Sequence, residues 1–374
     1  MLAKVSTKDL TKVLKLCEAV ADKRASMSVL SMVLININPE QGKLEFLATN
    51  LDQGFKGKVQ GEVEGESMTF CVPARKFYEV IKNFPEDEAL LVKEDSRLIV
   101  RDLSERITYE LVLGDSSEFP ALPDFNEEQA IDIPGNILSL LIKKTSFASS
   151  KDEARLVLSL SGIYFEPLKE EGKLRAVASD GHRLALCEAE VIGLDRAELS
   201  SFILSRKSAK EIANLSEDEL TVKLAYINNF VVLWTSLGVF FSRSIAGSYP
   251  NYRAVIPQTF ERVVKVDRRL FMDAIRRVSF LVTEKFKPVT LTLNKNELIL
   301  TSQEIELGRS QIRLDCSYEG EPFSITFNSA YLLDPLGVMQ SEEVDLKFRD
   351  ERSPAVISGY RDEGFLYIVM PIII

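Results

Sequence analysis

One segment of the chain gathers chemically versatile side chains, the stretch LRAVASDGHRLALCEAE with Asp180, His182 and Arg183 at its centre. A histidine imidazole together with carboxylates is found in zinc sites and catalytic triads. His182 is the only histidine, however, and no serine or cysteine motif accompanies it, so neither site is indicated. Asp180-Gly181 between two alternating runs predicts a tight hairpin turn, because this dipeptide accepts positive φ. Taken alone, the segment is most simply a hairpin with a polar tip.

The rest of the chain offers little catalytic chemistry. The phosphate-loop, metalloprotease and nucleophile-elbow motifs GxxxxGK[ST], HExxH and GxSxG are all missing, and the paired carboxylates lie in turn-like segments where solvation is their simplest role. The sequence therefore predicts no enzyme, no metal and no cofactor. The cysteines are too far apart for a CxxC pair or a disulfide framework. We expect them to be reduced and mostly buried: Cys17, Cys71, Cys187 and Cys316.

Composition indicates a folded protein away from membranes. Hydrophobic residues make up 45% and charged residues 27% of 374 residues, too many residues for one ordinary core. No window approaches the roughly 18 apolar residues of a membrane span, and the start of the chain lacks a signal peptide's apolar region. We expect two or three domains and a cytoplasmic location.

The predicted helices and strands, which must position any functional site, recur along the chain. One-sided helices are predicted at three places by apolar residues at i, i+3, i+4 and i+7. They are Lys8 to Val20, Asn136 to Phe147 and Arg268 to Leu281. A second type of segment, a short helix, an acidic turn and an alternating strand, also occurs three times. It starts near Phe77, Ser208 and Ala330.

Both landmarks recur at nearly one period, which predicts three domains of one kind. Short alternating runs between the helices predict antiparallel strands, so each repeat is an α+β unit with a sheet and two helices on one face. Pro-containing joints near Phe119 to Gln129 and Ile256 to Arg262 give the expected domains 1–127, 128–258 and 259–374. Three tandem domains without a joint geometry are the simpler alternative.

The charges are unevenly distributed. The formal net charge of −10 argues against a nucleic-acid partner, yet lysine and arginine are enriched on the predicted helices while acidic residues crowd the loops. An acidic protein with a basic helical face suits contacts with the phosphates of duplex DNA without sequence readout. Ordinary solvated helix faces with i, i+4 pairs are the alternative.

Seven segments, in order and spread over all three repeats, resemble the bacterial beta sliding clamp family, the beta subunits of DNA polymerase III. They include SDGHRLA from Ser179, YPNYRAVIP from Tyr249, FNSAYLLDPL from Phe327 and YIVMPI from Tyr367. The resemblance implies a DNA clamp fold in each repeat, with helices inside and sheets outside, and a head-to-tail homodimeric ring around double-stranded DNA. It also implies a processivity factor that tethers the DNA polymerase III catalytic subunit, the clamp loader, other polymerases and repair proteins.

Those partners would bind through peptides in a pocket between the second and third repeats. Transferred by position, apolar walls and a flexible Met would take aliphatic and aromatic anchors, while Arg183, Asn328 and Tyr331 would hydrogen-bond peptide backbones. The implied pocket residues are Leu160, Ser179, Gly181, His182, Arg183, Leu184, Pro250, Val255, Asn328, Tyr331, Pro354, Ile368, Met370 and Ile372.

The resemblance, together with the basic helices, assigns two further surfaces. The DNA-facing residues are Arg24, Lys207, Lys12, Lys144 and Arg276. The dimer interface includes Lys76, Ile107, Phe280 and Leu281, with ordinary core as the alternative for the last two.

Some positions depart from the family pattern. Ala254 stands where many relatives carry a basic residue at the pocket mouth, and the segment Leu156 to Ser161 is longer than usual, so Leu158 competes with Leu160 for the pocket. Pro335 falls inside a predicted helix, where we expect a kink. An enzyme and a protein-binding scaffold without DNA contact are the alternative functions.

Overall fold

The computed structural model describes residues 2–22, 27–151, 158–282, 287–304 and 307–373. Within these residues the chain forms 24 β-strands and six α-helices, joined by turns and short 3-10 helices. The order strand, helix, four strands, helix, three strands occurs three times in succession. The predicted α+β repeat is therefore confirmed at the level of element order.

The first run contains β1 (Leu2–Ser6), α1 (Thr7–Val20), β2 (Met32–Asn38), β3 (Lys43–Thr49), β4 (Gln53–Glu64), β5 (Met68–Pro73), α2 (Ala74–Lys82), β6 (Glu88–Glu94), β7 (Arg97–Arg101) and β8 (Thr108–Val112). The second contains β9 (Ile131–Pro134), α3 (Gly135–Lys143), β10 (Gly162–Leu168), β11 (Lys173–Ser179), β12 (Arg183–Glu190), β13 (Phe202–Ser205), α4 (Arg206–Glu217), β14 (Thr221–Ile227), β15 (Phe230–Thr235) and β16 (Gly238–Arg243). The third contains β17 (Arg262–Asp267), α5 (Arg268–Val278), β18 (Pro288–Asn294), β19 (Glu297–Glu304), β20 (Gly308–Asp315), β21 (Phe323–Asn328), α6 (Ser329–Val338), β22 (Glu343–Phe348), β23 (Ala355–Ser358) and β24 (Phe365–Val369).

All strand pairs are antiparallel, and the pairing scheme repeats with the elements. In each run the first strand pairs with the sixth, and the second pairs with both the third and the fifth. The fourth strand of one run also pairs with the eighth strand of the next, as β4 with β16 and β12 with β24. Among the described residues, the fourth strand β20 and the eighth strand β8 have no partner of this kind, and each is an edge strand of its sheet.

The helices form where the apolar spacing predicted them. In α1 the buried face holds Leu10, Val13, Leu14 and Cys17, and the Ser6 hydroxyl caps the first turn by accepting from the Asp9 N–H at 3.3 Å. The predicted ends at Phe147 and Leu281 are wrong, because α3 stops at Lys143 and α5 at Val278. Beyond each end the chain tightens into a 3-10 turn, a common termination of α-helices.

The proline of α6 is accommodated by a buried tyrosine. Pro335 lies inside the helix, which continues to Val338, and it has no N–H to donate to the carbonyl of Tyr331 four residues earlier. The Tyr367 hydroxyl donates to that carbonyl oxygen at 2.7 Å instead. The acceptor that the proline deprives of its helical donor is thus satisfied from β24.

The described chain consists of two compact units. The first, residues 1–135, 197–199 and 214–244, contains the 12-stranded sheet with α1 and α2. The second, residues 136–196, 200–213 and 245–374, contains the eight-stranded and four-stranded sheets with α5 and α6. No helix in the described ranges has the length and apolarity needed to cross a bilayer.

Candidate functional site: an apolar pocket beside the Ser179–Arg183 turn

The predicted hairpin is present, and its turn is fixed by its own side chains. Residues Ser179–Arg183, which we call the pocket turn, join β11 to β12. The Asp180 carboxylate accepts from the N–H groups of His182 at 3.0 Å and Arg183 at 3.1 Å. The Ser179 hydroxyl accepts from the Gly181 N–H at 3.2 Å and donates to the Arg183 carbonyl at 2.7 Å. Gly181 has φ +87°, the left-handed conformation that the sequence predicted at this position.

Strand β24 lies directly against this turn. Leu184 pairs with Ile368 in the ladder between β12 and β24, and the Met370 N–H donates to the His182 carbonyl at 2.8 Å. The side chains of Ile368 and Met370 therefore stand beside the turn, although they lie almost 190 positions further along the sequence. The pairing of strands from two repeats builds the pocket.

The pocket is small and mainly apolar. It has a volume of about 190 Å³, below the range of about 300–1,000 Å³ typical of sites that enclose a whole small ligand. A space of this size suits one or two side chains of a peptide. Its lining consists of Leu160, Ser179, Gly181, His182, Arg183, Leu184, Tyr249, Pro250, Asn251, Tyr252, Val255, Pro354, Ile368 and Met370.

A rigid apolar layer supports the lining. Leu184, Tyr252 and Ile368 belong to a buried cluster that also contains Val356, and the ring of Tyr249 stacks on Tyr164 at 5.1 Å between centroids. Because these side chains are held by packing, the floor of the pocket is formed before any ligand arrives. Met370 is 41% exposed, and its unbranched side chain makes it the part of the wall that can adapt to different ligands.

Most of the pocket residues that the sequence predicted lie together here, but three do not line the pocket: Asn328, Tyr331 and Ile372. The Asn328 amide oxygen accepts from the Ala330 N–H at 3.0 Å as the cap of α6, and the Ile372 N–H donates to the Thr326 carbonyl at 2.7 Å. Leu160 lines the pocket and the 51% exposed Leu158 does not.

Arg183 corrects another expectation. We predicted that its guanidinium would hydrogen-bond peptide backbones, but its side chain is only 5% exposed and each guanidinium nitrogen donates to the protein. Nε donates to Asp180 at 3.1 Å, while the terminal nitrogens donate to Asp334 at 2.5 Å and to the Phe147 carbonyl at 2.7 Å. Its Cζ atom lies over the ring of Tyr331, 4.3 Å from the ring centroid. Arg183 therefore fastens the pocket turn to α6 and does not present donors to a ligand.

Sequence reasoning missed Tyr249, Asn251 and Tyr252. They follow β16 in the segment YPNYRAVIP, where the sequence predicted Pro250 and Val255 as pocket residues but not these three. The Tyr252 hydroxyl donates to Glu166, and burial followed by this carboxylate raises the pKa of Tyr252 to about 12. The available signal was an aromatic pair separated by a Pro-Asn dipeptide just before a predicted joint.

A basic group stands at the pocket rim despite Ala254. The guanidinium of Arg253 lies 4.8 Å from the ring centroid of Tyr252 and donates to the Glu166 carboxylate at 2.8 Å. Its side chain is 51% exposed, so the residue next to the predicted departure places positive charge near the pocket lining.

The cysteines offer no reactive thiol at the site. All four are free; Cys17, Cys71 and Cys187 are buried, and burial raises the pKa of Cys71 and of Cys187 to about 12. No cluster of three or more His, Cys, Asp or Glu residues suited to a metal ion occurs in the described part of the chain.

Three of the predicted DNA-facing residues are exposed to solvent. Lys12 and Arg276 are about half exposed and form short-range pairs with Asp9 at 3.8 Å and Asp273 at 3.4 Å, and Lys207 is also exposed. Arg24 lies outside the described residues.

The prediction for Lys144 is wrong. Its side chain is 5% exposed, and its Nζ lies 2.7 Å from Oδ1 of the fully buried Asp362. Lys144 directly follows α3, and its N–H still donates to the Leu140 carbonyl at 2.9 Å, so its side chain continues the buried side of the helix, whereas its neighbour Lys143 is exposed.

The residues predicted at an interface are accessible. Phe280 is 77% and Leu281 37% exposed, so the alternative that both are ordinary core residues is wrong. Lys76 is exposed on α2 and pairs with Glu79 at 2.9 Å, and the N–H of the half-buried Ile107 donates to Asp102 at 2.8 Å just before β8. Phe280 and Leu281 are adjacent in the chain, so both apolar side chains are available for contact with another surface.

A threefold α+β repeat with an apolar pocket sized for side chains is typical of binding proteins of the clamp class. Family models match along nearly the whole chain: the N-terminal, central and C-terminal domains of the DNA polymerase III beta subunit match residues 1–123, 132–251 and 253–373. The beta sliding clamps of Haemophilus influenzae and Caulobacter vibrioides are each 31% identical, over 98% and 97% of both chains.

Solved structures agree with these matches. The Caulobacter crescentus pol III beta structure has a TM-score of 0.90 at 30% identity, and the DNA polymerase III beta subunit of Thermotoga maritima has a TM-score of 0.91 at 27% identity, each over the full length of both chains. A Pseudomonas aeruginosa sliding clamp, 28% identical with a TM-score of 0.90, was solved bound to griselimycin. The chain belongs to the beta sliding clamp family, the DNA polymerase III beta subunits. It has the family's three-domain clamp fold, and it is a processivity factor, not an enzyme.

Proposed function

We propose that two copies of this chain close head to tail around double-stranded DNA and hold replication and repair proteins there by short peptides. The observation that carries this proposal is the preformed apolar pocket beside the pocket turn, whose volume of about 190 Å³ suits peptide side chains. Its occupants are the DNA polymerase III catalytic subunit, the clamp loader, other polymerases and repair proteins. The domains are 1–127, 128–258 and 259–374, and the protein works in the cytoplasm.

The strand-pairing rule supports the dimer. Inside the chain, the fourth strand of one run pairs with the eighth strand of the next, with Lys56 opposite Val239 and Leu186 opposite Leu366. The left-over strands β20 and β8 have the same positions in their runs. If β20 of each chain pairs with β8 of the other chain, the two chains form a closed ring in which every fourth and eighth strand is paired.

The same rule predicts the register between the chains. Lys56, Leu186 and Gln311 are equivalent positions in the fourth strands of the three runs. Each lies four residues before the last residue of its strand that pairs with the third strand. Gln311 should therefore pair with Thr108 of the second chain, the position equivalent to Val239. In an antiparallel ladder this sets Arg309 opposite Glu110, two residues of opposite charge.

Neighbouring exposed residues fit this interface. The 3-10 turn with Phe280 and Leu281 follows α5, and the Ser310 hydroxyl of β20 donates to the Val278 carbonyl at 2.5 Å, so the apolar turn lies beside the free edge. Lys76 and Ile107 lie beside the other edge, since α2 contacts β8 and Ile107 directly precedes it. Burying Phe280 and Leu281 would add apolar contact to the strand pairing.

Contacts with DNA are weak and independent of sequence. Lys12, Lys207 and Arg276 project positive charge from three helices, and Arg24 joins them by sequence position. Side chains of this kind meet phosphates and not base edges, so DNA is held by enclosure and the contacts weaken with salt.

The experiment that tests the pocket's role is a primer-extension assay with the polymerase and clamp loader of the same organism. Wild-type chain should lengthen the products of a single binding event, and a His182→Ala, Met370→Ala variant should lose this effect while remaining a dimer. Equal product lengths for variant and wild type would refute the pocket as the tether.

A further inference from the structure

The pocket turn has a structural copy in the first unit, at residues 49–53. The Asn50 amide oxygen accepts from the N–H groups of Asp52 at 3.1 Å and Gln53 at 2.8 Å, as the carboxylate of the pocket turn does at the same two positions. The Thr49 hydroxyl accepts from the Leu51 N–H at 3.0 Å and donates to the Gln53 carbonyl at 2.8 Å. Leu51 has φ +74°, where the pocket turn has its glycine.

The strands that cross the two turns also correspond. The Arg243 N–H donates to the Asp52 carbonyl at 2.8 Å, the same bond and distance that Met370 makes with the pocket turn. Phe241 pairs with Gly54 as Ile368 pairs with Leu184. The two pockets can therefore be compared position by position, although only one of them is open.

The copy is filled by aromatic rings of the same chain. Phe241 and Phe230 occupy the positions that Ile368 and Pro354 have in the open pocket. Phe230 lies opposite Arg243, and Pro354 lies opposite Met370 when the ladder is extended by one residue. The ring of Phe125 lies on both, with centroids 5.3 Å from Phe241 and 5.6 Å from Phe230.

Two further features keep this arrangement closed. Gly54 replaces the leucine of the open pocket, and a β-carbon at this position would collide with the ring of Phe241, so the glycine makes room for the ring. Asp124, next to Phe125, forms an ion pair with Lys56 on β4. The connecting segment between the first and second runs is thus pinned beside the ring that it inserts.

We propose that the first unit contains a second binding site for an aromatic side chain, formed by the turn at residues 49–53 with Phe230 and Phe241, and that the chain's own Phe125 is its ligand. The wild-type chain then has one open pocket and one pocket that its connecting segment occupies. Removing Phe125 makes the second site available to an external aromatic ring, because the turn, the glycine and both phenylalanine walls remain.

The test uses the full-length protein and a capped amino acid, N-acetyl-4-fluorophenylalanine amide, observed by fluorine NMR. All variants carry Met370→Lys, which obstructs the open pocket. Phe125→Ala is added in one protein, and Phe84→Ala, which removes a buried ring beside Tyr109 in the same unit, is added in the matched control. Phe125→Leu keeps an apolar side chain and serves if the alanine variant does not fold.

We expect saturable binding to the Phe125→Ala protein, with a dissociation constant at least about tenfold lower than for either the Met370→Lys parent or the Phe84→Ala control. Phe125→Leu should bind the probe more weakly than Phe125→Ala and still more tightly than the parent. The proposal is overturned if the folded Phe125 variants bind the probe no better than the parent, or if the Phe84→Ala control gains the same affinity.

Discussion

The ammonium of Lys144 lies 2.7 Å from the carboxylate of Asp362, and both side chains are buried in the second unit. Asp362 also accepts from the N–H groups of Gln340 and Ser341, each at 3.0 Å, and from the Ser341 hydroxyl at 2.5 Å. The pair joins the end of α3 to the loop before β24. A lysine that the resemblance and the basic predicted helices assign to a DNA-facing surface is in fact part of the interior.

Replacing Lys144 should therefore reduce stability and leave DNA contacts unchanged. Lys144→Met leaves the buried Asp362 without its cation, which costs about 3 kcal/mol in comparable buried pairs. Urea unfolding measures this loss. Lys12→Met, at a half-exposed position, is the matched control and should change the unfolding free energy by less than about 0.5 kcal/mol. Similar losses in both variants would contradict the assignment.

The same pair predicts an acid-dependent term in stability. Burial alone would raise the pKa of Asp362, but the hydrogen bonds from Lys144, Ser341 and the backbone outweigh it and hold this pKa below its ordinary value. A carboxylate with a lowered pKa stabilises the fold above its unfolded pKa of about 3.9, and the contribution disappears as the pH falls through the folded value.

Asp362→Asn measures this term, because asparagine does not titrate. The stability difference between wild type and Asp362→Asn should be constant from about pH 7 to pH 5 and should shrink below about pH 4. A difference that grows toward acid pH would show that the pKa of Asp362 is raised in the folded state.

A double-mutant cycle tests the coupling between Tyr367 and the proline of α6. Tyr367→Phe removes the donor to the Tyr331 carbonyl and should cost about 1–2 kcal/mol, since the acceptor is left buried. With Pro335→Ala in place, the helix supplies its own N–H, so the added cost of Tyr367→Phe should fall. Additive costs in urea unfolding would show that the two residues are not coupled.

The register of the proposed dimer predicts a charge-swap result. Glu110→Arg and Arg309→Glu should each weaken dimerisation by about five- to tenfold, because each puts like charges opposite one another, and the double variant should recover most of the loss. Sedimentation at several concentrations measures the dimer constant. Reversal of Arg349, an exposed arginine away from β20 in the sequence, is the control. A double variant no better than the single ones would argue for another register.

Much of the fold could be predicted from local spacing. Leu10, Val13, Leu14 and Cys17 predicted the buried face of α1, and Asp180-Gly181 predicted the turn between β11 and β12, because both patterns act over a few residues. The resemblance to a family then located most of the pocket lining. Helix ends were less accurate, since a 3-10 turn continues the same apolar pattern.

The errors came from contacts between distant parts of the sequence. Lys144 looked like its exposed neighbour Lys143 because nothing near it indicates Asp362, which lies 218 residues away. Arg183 looked like a ligand-binding side chain because Asp334 lies on a different element. Tyr252 was overlooked because its hydrogen-bond partners Glu166 and Arg175 lie 86 and 77 residues away in the sequence.

The central claim is that this chain holds DNA by enclosing it, and topology tests it most directly. The protein is loaded onto nicked circular DNA by its clamp loader, the complex is isolated by gel filtration, and the DNA is cut once. We predict that the protein remains with the circle and leaves within minutes once the DNA is linear. Retention on linear DNA equal to that on the circle would contradict enclosure, and failure to be retained on the circle would favour a scaffold that does not surround DNA.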